Sequence, residues 1–167
     1  MKKSQDILLL TDTRISQQKY EFIIERSSLS DQINTKKKRF YSTKSENAKT
    51  GGASIYFPQC YDNVMNIIYE KSDSAEIPRF ISVICSIVGG PSFLITSFYG
   101  CPSKTSEKAK VFRRLYNHIY EISNKFGISV LILGGDLNQN INDITNNNCD
   151  DKKNFPKILS EFIVIAD

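Results

Sequence analysis

Two residues behind one apolar run have the types and spacing to do chemistry. They are Asp136 and Asn138, in the stretch Ser129-Val130-Leu131-Ile132-Leu133-Gly134-Gly135-Asp136-Leu137-Asn138. Chemistry done by this chain is expected at these two polar side chains. The aliphatic run ahead of them, stopped by glycine, reads as a buried strand whose end delivers polar side chains to a cleft. Gly134 and Gly135 allow sharp backbone geometry and the close approach of a ligand.

The same arrangement recurs upstream. Residues 7–10, Ile-Leu-Leu-Leu, form a strand that ends in Thr11-Asp12-Thr13-Arg14. Asp12 therefore also follows a strand, although an aspartate there serves equally well as a cap for a turn or helix. Residues 79–88 and 92–99 read as a hairpin joined through Gly89-Gly90-Pro91, with Tyr99 at the tip of its second arm before Gly100-Cys101-Pro102.

Further elements must hold these strand ends in place. Residues 103–126 form a long helix, with Val111, Leu115, Ile119, Ile122 and Phe126 on one apolar face and Gly127 as its stop. Lys104, Lys108, Lys110, Arg113 and Arg114 read as its wet face, and His118, the single histidine, as structural. Residues 20–27, 53–57 and 64–69 read as additional strands. Residues 140–153 form a polar loop without the glycine of an EF-hand, and residues 155–162 a short helix with Pro156 in its first turn. The aliphatics at 163–165 look like the start of a further strand.

Composition bounds the class. With 167 residues, 40% hydrophobic and 24% charged, the chain has one domain's worth of ordinary globular sequence. It has no apolar run of the roughly 20 residues that span a membrane, and its apolar block at residues 7–10 is too short for a signal-peptide core. A cytoplasmic or nuclear setting follows as the expectation. Cys60, Cys85, Cys101 and Cys149 are scattered and form no C-x-x-C pair, which favours reduced thiols over a zinc or redox motif. The net charge of +4 permits a nucleic-acid partner without demanding one. Lys36, Lys37, Lys38 and Arg39, followed by Phe40 and Tyr41, have the composition of a phosphate-holding, base-stacking segment and equally of a solvated loop.

Four segments in this order resemble the endonuclease/exonuclease/phosphatase superfamily, and within it the apurinic-like endonucleases of non-LTR retrotransposons. They are residues 6–14, Gly51-Gly52-Ala53-Ser54-Ile55, Ser97-Phe98-Tyr99-Gly100-Cys101-Pro102 and Gly134-Gly135-Asp136-Leu137-Asn138. The resemblance implies a two-sheet α/β sandwich with its site at one edge of the paired sheets. It implies hydrolysis of phosphoester bonds, endonucleolytic cleavage of DNA ahead of RNA, with Mg2+ or Mn2+, and a fused or separate reverse transcriptase as partner. By position, Asp12 falls on the metal-binding glutamate and Tyr99 on the tyrosine that contacts the phosphate. Asp136 falls on the aspartate that orients or activates the attacking water, and Asn138 on the asparagine that holds the phosphate. Magnesium bound through one or two carboxylates suits an anionic transition state whose charge gathers on oxygen.

Two departures stand out. Asp12 is one methylene shorter than the usual glutamate. The family's opening strand and its later aspartate–histidine pair have no match, and His118 lies on the wrong element to replace that histidine. The resemblance thus implies a single domain over residues 1–167, incomplete at both ends, weakly stable and nearly inactive alone. A non-catalytic relict acting as a binding or structural module, and a phosphatase of the same superfamily, remain the other readings.

Overall fold

The computed structural model describes residues 6–29, 38–44, 51–101 and 105–138. Along the chain these form β1 (Leu8–Thr11), α1 (Gln17–Leu29), β2 (Phe40–Ser42), β3 (Ala53–Tyr56), a short 3-10 turn (Gln59–Tyr61), β4 (Met65–Ser72), β5 (Phe80–Ile87), β6 (Ser92–Tyr99), α2 (Thr105–Phe126) and β7 (Leu131–Asp136). One sheet has the order β1-β3-β2, with both pairs antiparallel. The other has the order β4-β5-β6-β7 and is antiparallel except for the parallel pair β6–β7. A parallel neighbour requires a crossover, and α2 provides it.

The apolar patterning of β5 and β6 explains the layering. Phe80, Ile84, Leu94 and Phe98 pack against Val111, Leu115, Ile119 and Ile122 of α2. The alternate residues Ile81, Val83, Cys85 and Ile95 pack against Ala53, Ile55 and Tyr41 of the first sheet. Strands covered on both faces read as continuous apolar runs. Gly127, at φ 62°, ends α2 in a left-handed turn, and the Ile128 N–H closes it by donating to the Ser123 carbonyl at 2.9 Å. Ile128 then enters the same core.

Three sequence expectations change. Residues 20–27 lie inside helix α1, not a strand. The Ser16 hydroxyl accepts the Lys19 N–H at 3.2 Å, and this N-cap starts a helix that the run Phe22-Ile23-Ile24 disguises. Phe40 and Tyr41 belong to strand β2 and not to a loop. Strand β7 is not buried on both faces: among the described residues it is the outer strand of its sheet, and Ile132 is 46% exposed.

Strand direction gathers the polar ends. The Ser97 hydroxyl of β6 donates to the Leu10 carbonyl of β1 at 3.0 Å, joining the two sheets. Tyr99 and Asp136 are register partners at the ends of β6 and β7, and Phe80, which opens β5, pairs with Phe98. The C-terminal ends of β1, β6 and β7 therefore share one edge of the sandwich.

Candidate functional site at the sheet edge

Asp136, the last residue of β7, is fixed by the turn that follows it. The Asn138 N–H donates to Asp136 Oδ1 at 2.9 Å, and Asn138 Nδ2 donates to Asp136 Oδ2 at 3.1 Å. Asn138 Nδ2 also reaches the Gly100 carbonyl at 2.9 Å, and the Gly100 N–H donates to the Asp136 carbonyl at 2.6 Å. A Cβ on Gly100 would lie 2.0 Å from the Leu137 carbonyl oxygen, so only glycine lets the chains cross this closely. The carboxylate and amide of the Asp-Leu-Asn motif thus form one unit with the residue after Tyr99.

Tyr99 is held from its other side. Its N–H donates to the Arg79 carbonyl at 2.7 Å, and the Arg79 guanidinium carbon lies 5.1 Å from the centroid of its ring. Arg79 is buried and anchored through its backbone. The Arg79 N–H donates to Asp73 Oδ2 at 3.0 Å, and the same carboxylate oxygen accepts from Arg114 Nη2 at 3.0 Å.

Asp12 sits one residue beyond β1. Its Oδ1 accepts the Gly51 N–H at 3.0 Å, and its Oδ2 accepts Arg14 Nε at 3.0 Å and Arg14 Nη2 at 2.5 Å. The turn is laced to the glycine pair as well: the Arg14 N–H donates to the Gly51 carbonyl at 3.1 Å. The Arg14 hydrogen bond holds the Asp12 carboxyl below the usual carboxylate range, with slight burial opposing it and the Gly51 N–H reinforcing it. Asp12 is therefore ionised at neutral pH.

Among the described non-glycine residues, positive φ occurs at Asp12 (49°), Arg14 (48°) and Asn138 (48°). Aspartate and asparagine tolerate this region; arginine rarely adopts it. All three lie in the two turns that present the site, where such strain tends to collect.

The structure thus brings Asp12, Tyr99, Asp136 and Asn138 to one edge. It adds three cations that the sequence reading did not assign to the site. Arg14 and Arg79 are two; the third is Lys108, whose Nζ donates to the Asn138 carbonyl at 3.1 Å. Arg14 was visible in the motif beside Asp12, and Lys108 stood among the helix cations. Arg79 carries no sequence signal, since only the Asp73 turn aims it.

The basic segment lies elsewhere. Thr11 pairs with Ala53, and Phe40 with Tyr56 at the other end of β3, so Lys38 and Arg39 precede β2 at the end of the sheet remote from Asp12. The Lys38 ammonium pairs with Glu70 and lies 4.6 Å from the Tyr41 ring centroid. Arg39 pairs with Asp62 at 2.6 Å. Tyr41 is 3% exposed, with its ring against Phe57, so it is a core residue and not a base-stacking one. Lys36 and Lys37 lie outside the described residues. A cavity of about 290 Å³ opens at this far end between Lys38, Arg39, Asp62 and Met65.

His118 is core as well. It is 6% exposed, its Nε2 lies 2.8 Å from the Ser82 hydroxyl, and its ring stacks near Phe80. Of the described cysteines, Cys85 and Cys101 are buried and Cys60 is exposed, no disulfide joins them among the described residues, and burial pushes the Cys85 thiol up to about 12. No described helix is long and apolar enough to cross a membrane.

The carboxylates at the edge, Asp12 and Asp136, are hard oxygen donors of the kind that magnesium and manganese take. Among the described residues no group of three or more His, Cys, Asp or Glu side chains gathers as a closed site would need. A hydrated magnesium ion takes only one or two carboxylates and keeps several waters. Asp12 already carries a stand-in cation, the Arg14 guanidinium, so the site is built for positive charge.

Two packed sheets with the crossover helix outside them make this the two-sheet α/β sandwich of the endonuclease/exonuclease/phosphatase type. Among solved structures, the chain is similar to the human Nocturnin catalytic domain with bound sulfate anion, a member of that superfamily, at a TM-score of 0.50 and 16% identity. The similarity covers 80% of this chain and 52% of that one, so the chain spans about half the length of that domain. No protein-family model and no curated protein sequence matches it.

Proposed function

We propose that this chain is a metal-assisted phosphoester hydrolase acting on a nucleic-acid backbone, with DNA as its first substrate. The observation that carries this reading is the convergence of Asp12, Tyr99, Asp136 and Asn138 at the ends of β1, β6 and β7, ringed by Arg14, Arg79 and Lys108. The sulfate in the human neighbour is a tetrahedral anion of the same shape as a phosphate, which agrees with such a site.

The residues divide the work by chemistry. Asp136, with each oxygen already accepting one hydrogen bond from Asn138, has a fixed orientation and free lone pairs for a water. Tyr99 and the cations beside it hold the phosphate oxygens, guanidinium groups in particular by paired hydrogen bonds. Asp12, alone or with Asp136, would hold the ion; when bound, magnesium or manganese neutralises charge that builds on the phosphate oxygens. His118 is sealed in the core and takes no part in this site.

The test is hydrolysis of a labelled DNA oligonucleotide, an RNA of the same sequence and a small phosphate monoester, each with magnesium or manganese. Metal-dependent scission of DNA is the expected result. Faster hydrolysis of the monoester makes the protein a phosphatase. Binding of DNA with no hydrolysis of any substrate makes it a binding module.

A further inference from the structure

We propose that Arg14 is a tethered cation that closes Asp12 to a divalent metal until a phosphate draws the guanidinium away, so that metal and phosphate enter together. The proposal rests on the phosphate-hydrolase reading above and gives Arg14, there a phosphate-holding cation, a second role toward the metal.

The geometry carries it. Both oxygens of Asp12 are engaged, Oδ1 by the Gly51 N–H and Oδ2 by two nitrogens of one guanidinium. Oδ2, the oxygen that the Gly51 N–H does not hold, is the one the arginine covers. Asp12 and Arg14, both in the left-handed region, hold their side chains together across a turn two positions apart. The Arg14 backbone is held by the Gly51 carbonyl, whereas its side chain is 56% exposed. The backbone is fixed and the head group is free to turn outward.

An arginine that leaves Asp12 finds a better partner in a phosphate. Guanidinium matches a phosphate with two parallel hydrogen bonds, at least as well as it matches a carboxylate. Asp12 lies within electrostatic reach of both Arg14 and Arg79, and Arg79 lies against the Tyr99 ring, so the guanidinium groups stand close to the residues that would meet a phosphate. A divalent ion and a guanidinium cannot share one carboxylate oxygen without strong repulsion. Phosphate binding therefore frees Oδ2 for the ion, and by linkage the ion tightens phosphate. A pair that merely anchors the turn would show no such exchange.

The experiment is Mn2+ binding to the full chain, read as free Mn2+ by electron paramagnetic resonance, with and without sulfate as the tetrahedral anion. Arg14→Gln is expected to bind Mn2+ about tenfold more tightly than the unmodified chain when sulfate is absent. Sulfate is expected to tighten Mn2+ on the unmodified chain by a similar factor and to leave Arg14→Gln unchanged. Arg14→Lys keeps the charge without the fork and is expected to bind Mn2+ like the unmodified chain; it supplies the comparison if the glutamine variant does not fold. Unchanged or weaker Mn2+ binding in folded Arg14→Gln, with binding lost in Asp12→Asn, overturns the gate and leaves the metal site standing. Mn2+ binding that survives Asp12→Asn overturns both.

Discussion

Leu9 of β1 fills the space that Gly134 of β7 leaves: a Cβ on Gly134 would lie 2.4 Å from Leu9 Cδ1. One residue further, a Cβ on Gly135 would lie 2.9 Å from Thr11 Cγ2 and 2.1 Å from the Phe98 carbonyl oxygen. The glycine pair therefore lets a neighbouring strand, rather than a ligand, come close. That contact puts the end of β1, with Asp12, beside the end of β7, with Asp136.

The two glycines differ in what an added methyl meets. At Gly134 it meets the tip of a flexible leucine, so Gly134→Ala should cost about 1 kcal/mol, at the low end for overpacking. At Gly135 it meets backbone, at φ 130°, so Gly135→Ala should cost about 3 kcal/mol or more. Urea denaturation of the two variants measures this. Adding Leu9→Ala to Gly134→Ala should relieve the clash, seen as a double-mutant coupling of opposite sign to the single cost.

Buried His118 makes stability fall with acid. Burial is the main cause that lowers its pKa to about 4 from the ordinary 6.5; Lys71 adds to this, and Asp73 and Glu121 oppose it. The unfolded chain binds the proton first, so the stabilisation is complete above pH 6.5 and is lost as pH falls toward 4. The loss amounts to about 3 kcal/mol at most. Denaturation midpoints between pH 4 and 7 should show this slope, and His118→Asn should flatten it. An equal slope in the variant would assign the acid sensitivity to other groups.

The basic segment should contribute little to nucleic-acid affinity. Lys38 and Arg39 are paired with Glu70 and Asp62 at the end of the sheet remote from Asp12. In fluorescence anisotropy with a DNA oligonucleotide, Lys38→Ala and Arg39→Ala should change affinity by less than about twofold. Arg14→Ala and Lys108→Ala should each weaken binding and reduce the salt slope by about one. The reverse ranking would move the binding face to the far end of the sandwich.

The sequence shows β5, β6 and α2 because their apolar periods are long and both strand faces are covered, so pattern and burial agree. Gly127 marks the helix end for the same reason that it forms the left-handed turn. Helix α1 is hidden because, among its described side chains, Tyr20 is buried while Phe22 is 51% exposed, so the apolar run Phe22-Ile23-Ile24 shows no helical stripe. Asp12, Tyr99, Asp136 and Asn138 are legible as polar residues after apolar runs. Arg79 is not, because a backbone hydrogen bond to Asp73 sets its position and no local pattern records it. Tyr41 misleads for a related reason: a tyrosine behind four basic residues looks like a stacking platform until its ring is seen inside the core.

The central claim is that Asp136 works on a phosphodiester at the edge shared by β1, β6 and β7. The most direct measurement is nicking of supercoiled DNA by the full chain with magnesium or manganese, set against Asp136→Asn shown to be folded. The account predicts metal-dependent nicking that falls at least about 100-fold in the variant, the usual cost of losing a positioned base, while oligonucleotide affinity stays within about threefold. Nicking that persists undiminished in folded Asp136→Asn would contradict it.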